Sequence, residues 1–330
     1  MGKEAIAINL KNPDGQKLLH RLINELKIDI FCSNTMPARH QPLGFDYDTL
    51  KKVKQDLIWC SVSAMGLAYP DVPGYDPVLQ AYCGYMDLTG HPDGPPLQCG
   101  PPLIDLRAGD EAFIQIILAI MEKQNTGRGK KIDISMAQTA VSWLHTFLPM
   151  LDMGSPPEEL KRSGNEHRQF IPVNAYPTAD GHLFIAIGND RQWQRLTELP
   201  AFQQLQQEVR RTNAGRHAER AAIHREMAEA TQGLTSAALM QDLARQGIPH
   251  APINSIRQVR EMEAIAAKLT TTRTPGGARV HLPPPAVDLE GGTSEYSFAP
   301  RYSEHTESVL QEAGLKLEEI TALREGGIVP

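Results

Sequence analysis

A chain of 330 residues with 41% apolar and 22% charged residues has the ordinary composition of a globular protein, with room for one large domain or two smaller ones. Its net charge of −6, with lysine and arginine scattered along the chain, argues against a nucleic-acid-binding protein. No apolar run approaches the ~20 residues that span a bilayer, and the N-terminus lacks a signal-peptide pattern, so we expect a cytoplasmic protein without a membrane partner.

The first half of the chain alternates between strand and helix patterns. Apolar residues that alternate or run together predict strands, and apolar residues at helical spacing predict helices. In chain order these segments are a strand at 5–10, a helix at 16–26, a strand at 28–32, a helix at 47–54, a strand at 56–62, a helix at 106–123, a strand at 131–135 and a helix at 137–152. Such alternation predicts an α/β fold built around a parallel sheet of Rossmann type.

The helix at 106–123 is the most apolar of these segments. We expect its buried side to consist of Phe113, Ile116, Ile117, Ile120 and Met121. The preceding stretch, 66–102, is rich in glycine, proline and aromatic residues, a composition typical of binding loops.

The pattern changes after a polar, proline-broken linker at 154–166. A hairpin at 174–178 and 182–187 and three helices predict a smaller α+β domain over residues 165–275. Residues 1–160 then form the large Rossmann-like domain, and residues 276–330, with two terminal helices, return to complete it. The large domain is therefore expected to be formed by both ends of the chain.

The four cysteines form no CxxC motif and no zinc-spaced pair with histidine. They are Cys32, Cys60, Cys83 and Cys99. We expect reduced thiols in or near the core and no metal site.

Asp105 is the strongest catalytic candidate that the residues themselves provide. It follows Gly100-Pro101-Pro102 and opens the apolar helix. Free amide groups and the helix dipole stabilise a carboxylate anion at a helix N-terminus, where it is ready to act as a nucleophile. The alternative is a carboxylate that only caps its helix.

Three stretches carry a recognisable pattern. They are residues 73–105 (with Pro73-Gly74-Tyr75-Asp76, Leu88-Thr89-Gly90-His91-Pro92-Asp93-Gly94 and Asp105), 126–135 (Thr126-Gly127-Arg128-Gly129) and 176–190 (Tyr176-Pro177-Thr178-Ala179-Asp180-Gly181). In this order and spacing they resemble the class III CoA-transferases of the CaiB/BaiF type. The resemblance covers essentially the whole chain and implies a homodimer of interlocked rings.

The resemblance also implies a mechanism. Asp105 would attack an acyl-CoA thioester to give an aspartyl anhydride, and returning CoA thiolate would form an aspartyl-CoA thioester that a carboxylic acid then attacks. The substrates would be an acyl-CoA and a carboxylic acid, with no permanently bound cofactor. The other site residues that it implies are Tyr75, Gly100, Asn165 and His167 as supporting or substrate-binding groups, and Asn34 and Arg39 as CoA-binding groups.

Two departures from the family pattern leave alternatives open. Members normally carry a first strand–helix–strand unit upstream of the segment equivalent to 2–10, and this unit is absent. Met36 stands where the family has an arginine in Asn-Phe-Arg-Pro-Gly, so Arg39 is the basic residue left for the CoA phosphates. An inactive truncated remnant is one alternative. An α-methylacyl-CoA racemase is another, although Tyr75 stands where a racemase has its catalytic histidine; a nicotinamide dehydrogenase is disfavoured because no GxGxxG follows a strand.

Overall fold

The computed structural model describes residues 2–288 and 290–330. The chain divides into two compact units. The first comprises Met1–Tyr85, Gln98–Asp152 and Lys268–Pro330, and the second comprises Met86–Leu97 and Met153–Ala267. Both chain ends belong to the first unit, whereas residues 86–97, which the sequence pattern places in the large domain, group with the second.

The regular elements follow the chain in this order. The helices are α1 (Pro13–Glu25), α2 (Tyr47–Val53), α3 (Asp76–Tyr82), α4 (Tyr85–Leu88), α5 (Leu103–Thr126), α6 (Met136–Ser142), α7 (Leu148–Asp152), α8 (Asp190–Glu198), α9 (Asn213–Ala218), α10 (Arg220–Thr231), α11 (Ser236–Arg245), α12 (Ile256–Glu261), α13 (Glu263–Ala266), α14 (Thr306–Glu312) and α15 (Leu317–Glu325). The strands are β1 (Ile30–Ser33), β2 (Ile58–Ser63), β3 (Lys130–Ser135), β4 (Val173–Thr178), β5 (Gly181–Ala186), β6 (His250–Pro252), β7 (Thr270–Arg273), β8 (Arg279–Leu282) and β9 (Glu295–Tyr296).

A parallel sheet forms the centre of the first unit. Its strands lie in the order β1-β2-β3, and Cys60 of β2 is in register with Cys32 on one side and Ile132 on the other. The central strand is buried along most of its length, as expected for a parallel strand with covered faces. The predicted α/β fold with a parallel sheet is therefore confirmed.

Helix α5 packs on this sheet through small side chains. Ile104, Ala108, Ala112 and Ala119 are buried, and Ile116 and Ile120 are partly buried against the same core. The prediction for the buried side was wrong for three residues, because Phe113, Ile117 and Met121 are exposed. Alanines on the contact face let the helix lie close to the strands, and the bulkier side chains then project from the opposite side.

The two chain ends share one hydrophobic core. Leu18 and Leu22 of α1 pack with Leu310 and Ile320 of the terminal helices. Asn12 begins α1 by accepting a hydrogen bond from the Asp14 amide at 2.9 Å, and Pro13 occupies the first turn, where its missing N–H is not needed.

The predicted strand at 5–10 does not form. The Ala5 and Ala7 amides instead donate to His305 Nδ1 at 3.1 Å and to Thr306 Oγ1 at 3.2 Å. These acceptors lie about 300 positions away along the chain, so local alternation of apolar residues carried no information about them.

Two further segments differ from their predictions. The helix predicted at 137–152 is divided into α6 and α7 by a turn. A small sheet of order β8-β7-β9 forms near the C-terminus, and β7, which the sequence pattern places in the small domain, belongs to the first unit. Thr270, Thr271 and Thr272 of the central strand are buried. Threonine is a good strand former but gives no apolar alternation, which is why the pattern missed this sheet.

The second unit has its own antiparallel sheet and core. Strands β4 and β5 pair as the predicted hairpin, and β6 adds to β5. Leu183 and Ile185 of β5 are fully buried with Trp193 and Leu196 of α8. This unit is an α+β arrangement of helices packed on one sheet.

Candidate active site

One cavity of about 600 Å³ in the first unit contains four of the residues that the sequence analysis singled out. Asn34, Arg39, Tyr75 and Asp105 all line it. The walls come from the loops that follow β1 and β2 and from the first turns of α5, so the cavity lies at the carboxyl ends of two adjacent parallel strands. Ligands of open parallel sheets commonly bind at this edge.

The Asp105 carboxyl is free of hydrogen bonds to the described part of the chain. Asp105 is the third residue of α5 and is exposed. Its own backbone amide, at 3.2 Å, and that of Ile104, at 2.7 Å, donate instead to Oδ2 of Asp76. Asp76 therefore caps the helix, and the interpretation of Asp105 as a simple cap is wrong.

Partial desolvation and a neighbouring charge raise the pKa of Asp105. Desolvation has the larger effect, and the negative charge of Asp76 adds to it. The expectation that free amides of α5 would stabilise the Asp105 anion is therefore wrong, because those amides are occupied. A carboxylate with a raised pKa is a stronger base once it is ionised.

Asp76 and Gln80 are the site residues that sequence reasoning missed. Both belong to α3, and both are almost fully buried, at 3% and 1% exposure. The available signal was an Asp-Pro pair with a glutamine four residues later, since Asp-Pro often starts a helix and positions i and i+4 share a helix face.

Tyr75 directly precedes α3 and presents its ring to the cavity. The side chain is 78% exposed, and its hydroxyl has no hydrogen-bond partner within the described residues. Glycine fits best at the preceding position, because a Cβ on Gly74 would lie 2.6 Å from Cβ of Ala64 at the end of β2. The loop that carries Tyr75 thus rests directly on the strand end.

Asn34 and Arg39 enter the cavity from the loop after β1. Arg39 ends a short 3₁₀ helix, Pro37–Arg39, and its guanidinium has no ion-pair partner in the described part of the chain. Buried His40 holds this loop by a 2.8 Å hydrogen bond between Nε2 and the Thr35 carbonyl. Arg39 is the one cation and Asp105 the one anion among the described lining residues.

The other three predicted site residues do not line this cavity. Gly100 lies in the loop before α5, where an added Cβ would contact nothing within 4 Å. Asn165 is exposed in the second unit. His167, in the same unit, accepts backbone hydrogen bonds at Nδ1 from Gln169 and Phe170, both at 3.1 Å, which is a loop-stabilising role.

The described residues provide little for a metal or a membrane. Nowhere in 2–288 and 290–330 are three or more His, Cys, Asp or Glu side chains grouped so that they could ligate a metal ion. In the same residues, no helix combines the length and apolar character that crossing a bilayer requires. All four cysteines are free thiols, and Cys32, which was expected in or near the core, is exposed.

One family model matches most of the chain. The model of CoA-transferase family III matches residues 1–306. The chain belongs to CoA-transferase family III. This agrees with the resemblance carried by the three sequence stretches and with the parallel sheet of the first unit.

Similar proteins within family III include named CoA-transferases. The chain is 30% identical to the succinate–glutarate CoA-transferase of Agrobacterium fabrum over 262 residues. This alignment covers 78% of this chain and 64% of that protein. It is 29% identical over 318 residues to the succinyl-CoA:glutarate CoA-transferase of Mus musculus, which covers 94% of this chain and 72% of that protein. The chain thus spans about two thirds of the length of these relatives.

A solved family structure has the same fold. The crystal structure of a CaiB/BaiF family protein from Brucella suis superposes with a TM-score of 0.81 at 29% identity, over 94% of this chain and 82% of that one. The α/β fold is therefore that of the CaiB/BaiF proteins.

Proposed function

We propose that this family III chain transfers coenzyme A from an acyl-CoA thioester to a carboxylic acid, with Asp105 as the nucleophile. The observation that carries the proposal is the exposed Asp105 carboxyl, which faces a cavity at the sheet edge while another carboxylate caps its helix. A side chain that neither caps nor forms an ion pair is available for covalent chemistry.

The reaction exchanges one thioester for another in four balanced steps. A carboxylate oxygen of Asp105 attacks the acyl carbonyl, the C–S bond breaks, and an aspartyl anhydride and CoA thiolate result. The thiolate attacks the aspartyl carbonyl and expels the donor acid as its carboxylate, leaving an aspartyl-CoA thioester. The acceptor carboxylate attacks that thioester, which regenerates thiolate and a new anhydride. Attack of the thiolate on the acceptor's carbonyl then releases the new acyl-CoA and free Asp105.

The other lining residues have supporting roles in this proposal. Asn34 and Arg39 bind the CoA part, because Arg39 offers an unpaired cation for a phosphate group. Tyr75 supports the acyl group, since its free hydroxyl can donate to an oxygen in the cavity. The two relatives are named for succinate and glutarate, so short dicarboxylic acids are the first substrates to test.

Intact-mass measurement tests the covalent step directly. The protein is incubated with succinyl-CoA, glutaryl-CoA and a panel of other acyl-CoAs, with and without hydroxylamine. We expect a CoA-sized adduct on Asp105 that hydroxylamine removes, because hydroxylamine cleaves thioesters and anhydrides. Wild-type protein that forms no adduct with any donor would contradict the proposal.

A matched pair of variants identifies the nucleophile. Asp105→Asn should abolish the adduct and transfer, whereas Asp110→Asn should retain both, because Asp110 lies exposed on the same helix and does not line the cavity. Neither change should alter thermal stability noticeably, since both carboxyls lack hydrogen bonds within the described residues. Transfer at the wild-type rate in Asp105→Asn would remove the central claim.

We also propose that the chain forms a homodimer. The exposed apolar side of α5, with Phe113 at 66%, Met121 at 56% and Ile117 at 41% exposure, supports an association that covers it. Light scattering after size-exclusion chromatography should give twice the 36.4 kDa mass of the chain. A monomer at micromolar concentration would contradict this part of the proposal.

A further inference from the structure

A buried carboxylate lies directly beneath the proposed nucleophile. Oδ2 of Asp76 accepts the amides of Ile104 and Asp105, at 2.7 and 3.2 Å, across 28 and 29 positions of the chain. These are the second and third amides of α5, which no carbonyl of that helix can accept. Pro102, at the N-cap position, makes no side-chain cap bond, so Asp76 supplies the cap from another helix.

The second oxygen of Asp76 is held as firmly as the first. Gln80 Nε2 donates to Oδ1 at 2.5 Å, and Gln80 Oε1 accepts the Cys99 amide at 2.8 Å. A chain of hydrogen bonds therefore runs from the loop before α5, through Gln80 and Asp76, to the first turn of α5. Each end of the glutamine amide is used, which defines the orientation of the carboxylate.

The negative charge of Asp76 is more than a cap requires. The side chain is 3% exposed, and within the described residues its partners are Gln80 and two backbone amides, with no Lys, Arg or His. An asparagine, serine or threonine would cap a helix about as well without a buried charge. Because a neutral residue could cap the helix equally well, we infer that the negative charge of Asp76 has a role of its own.

That use is found at Asp105. Because Asp76 occupies the amides, the Asp105 side chain cannot fold back on its own helix and stays directed to the cavity. The negative charge of Asp76 also disfavours ionisation of Asp105, which raises the pKa of that carboxyl after the larger effect of desolvation. Arg39 and Tyr75 are the other ionisable groups that line the cavity, and Arg39 carries the opposite charge.

We propose that Asp76 is the positioning residue of the proposed nucleophile: its buried carboxylate holds the first turn of α5, directs Asp105 into the cavity and makes the ionised Asp105 more reactive. This role rests on the proposed function of Asp105. Gln80 belongs to the same device, since it sets the orientation of the Asp76 carboxylate.

Asp76→Asn separates the charge from the cap. The amide oxygen can still accept the two α5 amides, but its NH₂ group then faces Gln80, and one hydrogen bond of the chain from Cys99 is lost. Asp76→Ala removes the cap altogether and is expected to unfold the first turn of α5. The matched control is Asp46→Asn, because Asp46 caps α2 of the same unit at 3.0 Å from the Thr49 amide and does not line the cavity.

Two measurements on the full chain test the role. Carbon-13 NMR follows the titration of the Asp105 carboxyl, whose signal is assigned by its loss in Asp105→Asn. We expect the midpoint to move to lower pH in Asp76→Asn and to stay in place in Asp46→Asn. Single-turnover adduct formation with the donor found for the wild type should be about tenfold slower in Asp76→Asn, because the Asp105 carboxylate is then a weaker nucleophile and its support has lost one hydrogen bond.

The outcomes distinguish this role from the proposed function. No adduct in the wild type overturns the function and the role together. A normal wild-type adduct with an unchanged titration and rate in Asp76→Asn overturns the role and leaves the function standing. A slower rate in both Asp76→Asn and Asp46→Asn, with equal losses of thermal stability and no shift of titration, would show a purely structural cap and also overturns it.

Discussion

Replacing Gly74 with alanine tests how firmly the loop before α3 is held. The added Cβ would lie 2.6 Å from Cβ of Ala64, while the Leu79 side chain lies on it at 3.5 Å. Ordinary carbon–carbon contacts are about 3.5–4.0 Å, so the loop must move by about 1 Å. Tyr75 and Asp76 follow Gly74 directly and must move with it.

The size of the effect follows from this displacement. An extra methyl group forced into a packed site costs about 1–3 kcal/mol of unfolding free energy. A displacement of about 1 Å near a reacting group costs up to roughly 100-fold in rate. We therefore expect Gly74→Ala to fold with reduced stability and to form the Asp105 adduct about 100-fold more slowly.

Urea unfolding and single-turnover adduct formation measure the two effects. The control is Gly233→Ala, because a Cβ there contacts nothing within 4 Å and its φ lies outside the left-handed region. That variant should match the wild type in both assays. Gly74→Ala with wild-type stability and rate would refute the claim that the strand end holds this loop.

Three further predictions concern charges. Arg39→Gln should raise KM for acyl-CoA about fivefold and leave kcat unchanged, since an exposed cation contributes about 1 kcal/mol to binding. Hydrogen bonds from Lys123 and Lys54 lower the pKa of Asp56 to about 2. The ionised Asp56 therefore stabilises the folded state above about pH 4, and this contribution is lost as the pH falls toward about 2. Asp56→Asn should therefore cost about 1 kcal/mol at pH 7, after allowance for screening, and less at pH 2.5 in urea unfolding. The Cys60 thiol lowers the pKa of Cys32 to about 7, so iodoacetamide should modify Cys32 first at pH 7, and about tenfold more slowly in Cys60→Ala.

Each of these has a control or a contrary outcome. Lys11→Gln removes an exposed cation outside the cavity and should leave KM unchanged; an equal rise in both variants would indicate a general effect of charge. An Asp56→Asn deficit that grows on acidification would reverse the sign of the argument. Faster alkylation of Cys83 or Cys99 than of Cys32 would contradict the lowered pKa.

The sequence by itself determined the helices and strands whose apolar residues recur at a short, regular spacing. Strands β2 and β3 lie within two residues of their predicted bounds and helix α1 within three, because their apolar spacing reflects one buried face. The family resemblance, confirmed by the match over residues 1–306, also came from local stretches in order. Asp105 was found in the same way, as an acidic residue that follows prolines and opens an apolar helix.

Only the tertiary structure decided which groups these residues contact. Periodicity shows that α5 has a buried side. The helix lies so close to the sheet that alanines form this side, and Phe113 is left exposed. Alternation at 5–10 gave a false strand because its amides pair with the distant C-terminal segment. The sequence pattern did not predict the threonine-rich strand β7, because its burial depends on pairing with strands that follow it in the chain.

For Asp105, the sequence determined its position in the helix, and the tertiary structure determined its electrostatic environment. Its position at the start of a helix can be read locally, and by local rules its carboxylate should be stabilised by free amides. The amides are instead taken by Asp76, 28 positions before Ile104, and desolvation, together with the charge of Asp76, raises the Asp105 pKa instead of lowering it. Helix patterns depend on neighbours three or four residues apart, whereas the electrostatics of a site depend on whichever charges the packed chain brings within a few ångströms.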